Sequence, residues 1–446
     1  VSTSATASPP AALPLAPAAL RRAAPVLPVV AIVVMLCLPV TPDSGATFAD
    51  AVSGLVVLWA VVRTSRRARR PLTGTAAIVL GLPVVGIAVA ASGAVTPGDA
   101  VTGLARYLQV FVLVPVAVVL LMRDRRDVRL VLWSLVGLAL WQGAIGVYQY
   151  LTGTGASYQG ADIRAVGTFG PSDVMGMATV VAYGVVAATG IALRTRDRRQ
   201  QVVAATCALV LLVPLTVSFS RGSWIATALA CGAQLLSAGA RRAAKVCATA
   251  VAASVVLVGG FGVGTAALQE RLTSITRVTD APDQSVVDRY SLWAAATGIW
   301  HEHPVTGVGL KAFPAYRDGH ASLALSSGSD TDGAGQGYRR QPLLSPHNMY
   351  LLMLSEQGLV GVLTVAGSWL ALLVCGLRRL RRAERAADCA VAVCGLLLWQ
   401  LVDYLYADIG GPDTVLTAVV LGLAAWWALA PDAADASARA SSEVPR

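Results

Sequence analysis

The chain has 446 residues, 55% of them apolar and only 13% charged, with a formal net charge of +10. A soluble protein carries about 25% charged residues, so this composition excludes a disordered chain and a soluble multidomain enzyme, and it calls for a bilayer. The positive charge is not a nucleic-acid footprint, because the arginines stand in short clusters between apolar runs; no nucleic-acid partner is expected.

Apolar runs of spanning length predict an all-α, polytopic membrane bundle of about twelve transmembrane helices. They fall near 26–41, 46–62, 72–92, 101–122, 128–150, 173–193, 202–219, 222–238, 243–264, 347–376, 386–406 and 413–430. Six basic clusters, Arg21–Arg22, Arg63–Arg70, Arg123–Arg129, Arg194–Arg199, Arg241–Lys245 and Arg378–Arg385, hold 23 of the 35 Lys and Arg. Each precedes the first span or follows an even-numbered one, so the positive-inside rule puts both termini in the cytoplasm of an inner-membrane protein. Residues 1–24 and 431–446 then read as disordered cytoplasmic tails, 25–264 as spans one to nine, 265–346 as an extracytoplasmic loop and 347–430 as spans ten to twelve. The apolar stretch after Arg21–Arg22 reads as a retained anchor rather than a cleaved signal peptide. Cys37, Cys207, Cys231, Cys247, Cys375, Cys389 and Cys394 all lie in apolar stretches with no C-x-x-C spacing, and read as small core residues.

The long loop, roughly Thr265–Pro346, is too long to be a bare connection. Within it Asp288–Trp300 places Tyr290, Trp293, Thr297 and Trp300 at helical spacing, which predicts an amphipathic helix. Ala321–Gly337 is rich in Ser, Gly and Asp and reads as a mobile insert. All four histidines, His301, His303, His320 and His347, lie in this loop or at its end. From Glu270 to His347 seven basic residues nearly balance eight acidic ones, so an anion bound there must be held by particular arginines.

Arg221 sits in Ser220-Arg221-Gly222-Ser223-Trp224 between two apolar helices. It reads either as a guanidinium held at the membrane surface for a phosphate or as an interfacial anchor beside Trp224. Arg289 opens the amphipathic stretch, where its planar fork suits phosphate oxygens or pairs with Asp288 or Asp283. His347, in Ser345-Pro346-His347-Asn348-Met349-Tyr350, enters span ten as a general base or as a helix anchor. His301 and His303 are two residues apart, poor spacing for one helix face, and no metal is expected there. Asp50 and Asp403 are the acids within spans; Asp403 is within a turn of the outer surface and is placed to line the same cavity.

The order of these segments resembles the O-antigen ligase and polymerase family of membrane glycosyltransferases. The resemblance rests on Arg164-Ala165-Val166-Gly167-Thr168-Phe169, Ser-Arg-Gly-Ser-Trp at 220–224, Arg289-Tyr290-Ser291-Leu292-Trp293 and His303-Pro304-Val305-Thr306-Gly307-Val308-Gly309. Pro346-His347-Asn348-Met349-Tyr350 and Glu356-Gln357-Gly358-Leu359-Val360-Gly361 complete the series. It implies transfer of a glycan from a polyprenyl (undecaprenyl or decaprenyl) diphosphate carrier to a glycan, lipid or cell-wall acceptor hydroxyl, on the outer side of the membrane and without metal or cofactor. By position, Arg221 and Arg289 would hold the diphosphate, His347 would activate the acceptor, and Arg164 would give a further phosphate or sugar contact. Ligase and polymerase share these segments. A cell-shape type peptidoglycan polymerase would need an acidic residue in its main outer loop, and none stands out. A transporter for a small anion or glycolipid predicts internal repeats and midplane charges, and the two halves show no repeat. A scaffolding protein gives no reason for so many arginines on one side.

Overall fold

The computed structural model describes residues 24–40, 47–66, 72–158, 164–171, 173, 175–239, 241, 284–382, 389–411 and 413–430. The membrane part comprises α1 (Leu27–Met35), α2 (Phe48–Ser65), α3 (Gly74–Ser92), α4 (Pro97–Leu121), α5 (Arg125–Thr152), α6 (Gly176–Arg194), α7 (Arg198–Val217) and α8 (Arg221–Ser237). After α9 (Gln284–Glu302) and the short α10 (Phe313–Arg317) come α11 (Met349–Arg382), α12 (Ala390–Asp403) and α13 (Thr414–Leu429). The starts of these helices are legible in the chain. Thr47, Thr73, Thr96, Asp124, Asp197, Ser220 and Asn348 each accept a first-turn backbone N–H through the side chain, satisfying donors that have no partner inside the helix.

Packing is centred on α6, whose Ala-, Gly- and Val-rich sequence lets α5, α7, α8 and α12 approach on all sides. α13 is a second inner helix, packed on α4, α11 and α12. On the outside, α2 and α7 leave Leu55, Leu58, Leu209 and Val213 exposed, as side chains facing lipid must be. Seven helices among the described residues are long and apolar enough to cross a membrane, and α12 and α13 are shorter apolar helices. The expectation of twelve spans is therefore not reproduced. The first expected span is a nine-residue helix, about 13 Å long and too short to cross about 30 Å of hydrocarbon. Instead of continuing, the chain turns, and the Val40 N–H bonds to the Thr168 carbonyl. The ninth expected span, 243–264, and the tails lie outside the described residues.

Two further expectations are corrected. The bundle is not purely α: β1 (Ala156–Tyr158), β2 (Ser329–Gly333) and β3 (Gln336–Gln341) form an antiparallel sheet in the order β1-β2-β3. The supposedly mobile insert is thus half of a hairpin, with Ala156 opposite Gly333 and Thr331 opposite Arg339. Its turn is closed by Gly333, Ala334 and Gly335, all at positive φ, and β1 supplies the partner edge that a lone hairpin lacks.

α11 is interrupted. Gly358 has φ 60° and ψ −160°, and a π-helical turn follows at Val362–Ala366. Into the break runs the turn segment His303–Gly309: Val308 and Gly309 N–H bond to the Ser355 and Glu356 carbonyls, while Leu359 and Val360 N–H bond to those of Pro304 and Val305. The contact is so close that a Cβ on Gly358 would stand 2.4 Å from the Val305 oxygen. Two sequence motifs that read as separate are one interlocked unit. It ties the α9 side of the outer region to α11.

Candidate active site

The site is assembled where α6, α8, α11 and α13 begin and α12 ends. Its centre is the turn after α12, residues 404–411. The segment Ser345–Met349 is fastened to this turn at several points. Met349 N–H reaches the carbonyls of Tyr404 (2.9 Å) and Ala407 (3.0 Å), Asn348 Nδ2 donates to Leu405 O at 3.1 Å, and the Ser345 hydroxyl donates to Asp408. Asn348 also caps α11 by accepting from Leu351 N. Between these anchors His347 is held at φ 47°, a left-handed conformation that costs a non-glycine residue about 1–2 kcal/mol. The anchors on both sides impose it.

α9 presents one face to this arrangement. Arg289 and Trp293, one turn apart, both reach it: Arg289 Nη1 donates to the Tyr406 carbonyl at 3.2 Å, and Trp293 Nε1 to the Pro346 carbonyl at 2.9 Å. Asp288 does not serve Arg289. Its carboxylate is taken up by Gln284 Nε2 and by the Ser326 N–H and hydroxyl, pinning α9 to the segment that leads into β2.

Arg221 arrives from the other side. Ser220 caps α8, and the next residue but one, Gly222, lies against Tyr406; a Cβ there would be 3.2 Å from Tyr406 Cβ. A side chain at 222 would crowd Tyr406, so glycine lets the start of α8 come this near. The backbone beside Arg221 thus meets the residue whose carbonyl Arg289 holds, Tyr406.

Asp403 ends α12 and is buried, with Oδ1 lacking a hydrogen-bond partner among the described residues. Arg289, Asp408 and Asp413 are its charged neighbours. His347 has Asp408 and Arg289 as charged neighbours. Burial holds its imidazole below the ordinary value; the Arg289 guanidinium acts in the same direction and Asp408 against it. The ring is consequently neutral at pH 7 and able to take a proton. The structure thus brings Arg289, His347 and Asp403 together, and it sets Arg221 at the start of α8 next to Gly222, which packs on Tyr406.

Arg164 is placed differently. Its backbone bridges Ala156, with N–H···O distances of 2.7 and 2.9 Å, and the neighbouring Ala165 N–H bonds to Val217 O at the end of α7. The following residues are held by α5: Gln149 bonds the backbone of Val166 and Gly167, and Gln142 that of Thr168. Gln142 and Gln149 lie two turns apart on one helix face. Arg164 belongs to the sheet side of the site.

Sequence reasoning missed three groups. Tyr406 contributes a backbone carbonyl, which no residue type signals. Asp408 accepts from Ser345 and from Gly410 N; the acids on either side of Gly410-Gly411-Pro412 were the available cue. Asp173 and Asp413 both lie against Gly411, where Arg106 also donates to the Gly411 carbonyl at 3.1 Å and pairs with Asp50. Burial pushes the Asp413 carboxyl up to about 6, and burial together with Asp413 pushes Asp173 well above the carboxylate range. His301 and His303 have aromatic neighbours, Trp300 and Tyr316, and His320 pairs with Glu302.

Comparison with known proteins bears on the segment that holds Arg221, Arg289 and His347. Residues 205–366 match the family described as O-antigen ligase. No curated protein matches the chain.

Proposed function

We propose that this protein, a helical membrane protein whose residues 205–366 match the family described as O-antigen ligase, transfers a glycan from a polyprenyl diphosphate carrier to an acceptor hydroxyl. The observation that carries the reading is that Arg289 holds the Tyr406 carbonyl and is a charged neighbour of a half-buried, neutral His347, while Arg221 immediately precedes Gly222, which packs on the same Tyr406. Two fixed positive groups next to a neutral base suit a reaction in which a diphosphate leaves while a hydroxyl attacks.

In that reaction His347 takes the proton of the acceptor hydroxyl. The freed oxygen forms a bond to the anomeric carbon, and the bond from that carbon to the diphosphate oxygen breaks, leaving its electron pair on the diphosphate. Arg221 and Arg289 stabilise the charge that grows there, doing the work a divalent cation does elsewhere. Attack opposite the leaving group inverts the anomeric centre. The lipid chain stays between helices in the bilayer, and the sugars extend towards the sheet. Arg164 contributes there as a sugar or phosphate contact, and Asp403 lines the cavity near Arg289. The site lies at the helix ends remote from the Arg63, Arg194–Arg199 and Arg378–Arg382 clusters, so the positive-inside rule makes it extracytoplasmic, in the cytoplasmic membrane.

The test is binding of a polyprenyl diphosphate glycan and single-turnover transfer on the same purified variants. His347→Ala keeps carrier binding and loses about 10² to 10⁴ in rate, whereas Arg221→Ala and Arg289→Ala lose both. Wild-type transfer by His347→Ala, or normal binding and turnover by both arginine variants, overturns the reading. Loss of transfer in EDTA with recovery on adding a divalent ion overturns the metal-independent route.

A further inference from the structure

At the end of the bundle opposite the site, α6, α8 and α11 finish near one another. A cavity of about 380 Å³ opens between them, lined by Arg194, Ser237, Leu377, Leu380 and Arg381. Its wall is graded. Leu377, Leu380 and Arg381 stand three and four residues apart on one face of α11, so two apolar side chains lie on the bilayer side of a guanidinium. On the facing wall Arg194 Nη2 donates to the Ser237 carbonyl at 3.1 Å, which fixes the second guanidinium in place. Arg194 Nε is buried and has no acceptor among the described residues. A buried charged donor left unpaired is costly and calls for an acceptor.

The neighbouring Arg379 is engaged otherwise. Arg379 donates to the Trp427 and Ala430 carbonyls and stacks over the Trp427 ring, 5.2 Å from its centroid. It fastens α11 to α13. The ends of helices by themselves favour cations, because their last carbonyls are the negative pole; an anion in this cavity is held by side chains and not by the backbone.

We propose that this cavity binds the phosphate of an anionic phospholipid, on Arg194 and Arg381, with acyl chain against Leu377 and Leu380. The two guanidiniums match a phosphodiester, and basic pockets between membrane helices suit such headgroups. A free phosphate would use the arginines and leave the two leucines unoccupied; a lipid without a phosphate would leave the Arg194 Nε without its acceptor, and the choline of phosphatidylcholine would set a fixed cation against the two guanidiniums. The site is separate from the transfer chemistry, at the other ends of α6, α8 and α11.

The experiment titrates delipidated protein in detergent with phosphatidylglycerol or phosphatidylcholine and reads bound lipid by native mass spectrometry. Phosphatidylglycerol binds preferentially, and Arg194→Gln and Arg381→Gln each weaken it about tenfold, the loss expected for one charge-assisted hydrogen bond. Leu380→Trp keeps both charges but fills the cavity, and it also lowers binding. Arg381 is exposed, so its variant folds even where the Arg194 variant does not. Arg198→Gln, at the exposed start of α7 and outside the cavity, leaves binding unchanged. Equal affinity for the two lipids, or unchanged binding in Arg381→Gln and Leu380→Trp, overturns the proposal. So does equal loss in Arg198→Gln, which would mean a diffuse surface charge, and so does displacement of the lipid by inorganic phosphate at comparable concentration.

Discussion

Trp293→Phe removes one hydrogen bond and little else. The indole Nε1 holds the Pro346 carbonyl at 2.9 Å, and Pro346 immediately precedes His347, whose φ of 47° is imposed from both sides. Phenylalanine keeps most of the ring packed beside Tyr290, 5.8 Å away, so the helix itself is not disturbed. A net hydrogen bond is worth about 0.5–1.5 kcal/mol, and a buried carbonyl left without a donor costs about 1–3 kcal/mol. That range overlaps the strain of about 1–2 kcal/mol stored in a left-handed residue. Once the tether is gone, the segment can relax towards negative φ and carry the imidazole out of line. A loss near 1.4 kcal/mol lowers the transfer rate about tenfold, while carrier affinity, set by Arg221 and Arg289, stays within about twofold. Single-turnover transfer and carrier binding measured on one purified preparation separate the two effects. An unchanged rate, or a carrier affinity that falls in step with the rate, refutes the idea that this tether positions His347.

Arg289→Lys keeps the charge but loses the planar fork, so it recovers only part of the activity lost in Arg289→Ala, read as kcat/KM for the carrier. Transfer declines as the pH falls through the pKa of His347, which burial places below its ordinary value near 6.5. Asp408 opposes that shift, so Asp408→Asn lowers the pKa further and moves the acid limb of the pH–rate profile to lower pH; a limb that moves up contradicts the assignment. Gly358→Ala puts a Cβ 2.4 Å from the Val305 oxygen in a backbone conformation reserved for glycine, costing on the order of 3 kcal/mol or more. Thermal unfolding in detergent should show that loss, and Gly307→Ala should share it, because its Cβ would stand 2.3 Å from the Glu356 carbonyl carbon.

Much of the bundle was legible because apolar length and N-caps are local signals. Thr47 with Asp50, Asp124 and Ser220 mark helix starts wherever the chain folds. The amphipathic stretch beginning at Asp288 is likewise a helix, from Gln284 to Glu302. The hairpin was not legible, because β2 is Ser-, Asp- and Gly-rich and β3 is polar on both faces, and β2 pairs on its other edge with β1, more than 170 residues earlier in the chain. Nor was the interlock of His303–Gly309 with α11: Gly358 within an apolar run reads as a packing glycine, and only the arriving segment gives its positive φ a purpose.

The candidate site divides along the same line. Arg221, Arg289 and His347 could be singled out because a charge or a titratable group at the edge of an apolar run is expensive and must have a use. What joins them could not, since the joining atoms are the carbonyls of Tyr404, Tyr406 and Ala407 and a glycine hydrogen at 222. A carbonyl is common to every residue, and its availability depends on α12 ending at Asp403 and the chain turning before α13. That turn holds the Arg289 guanidinium beside His347 and receives the start of α8 at Gly222. Its glycines and its acids, Asp408 and Asp413, are thus as much a part of the site as the side chains that do the chemistry. The same reasoning explains why Asp403 must be read with its neighbours. Alone it is a buried carboxyl with an oxygen unpartnered among the described residues, but Arg289, Asp408 and Asp413 are its charged neighbours. A diphosphate held by Arg289 would meet like charge in Asp403 whenever that acid ionises, so Asp403→Asn should tighten carrier binding and slow its release. Weaker carrier binding in that variant would show that Asp403 contacts the glycan instead.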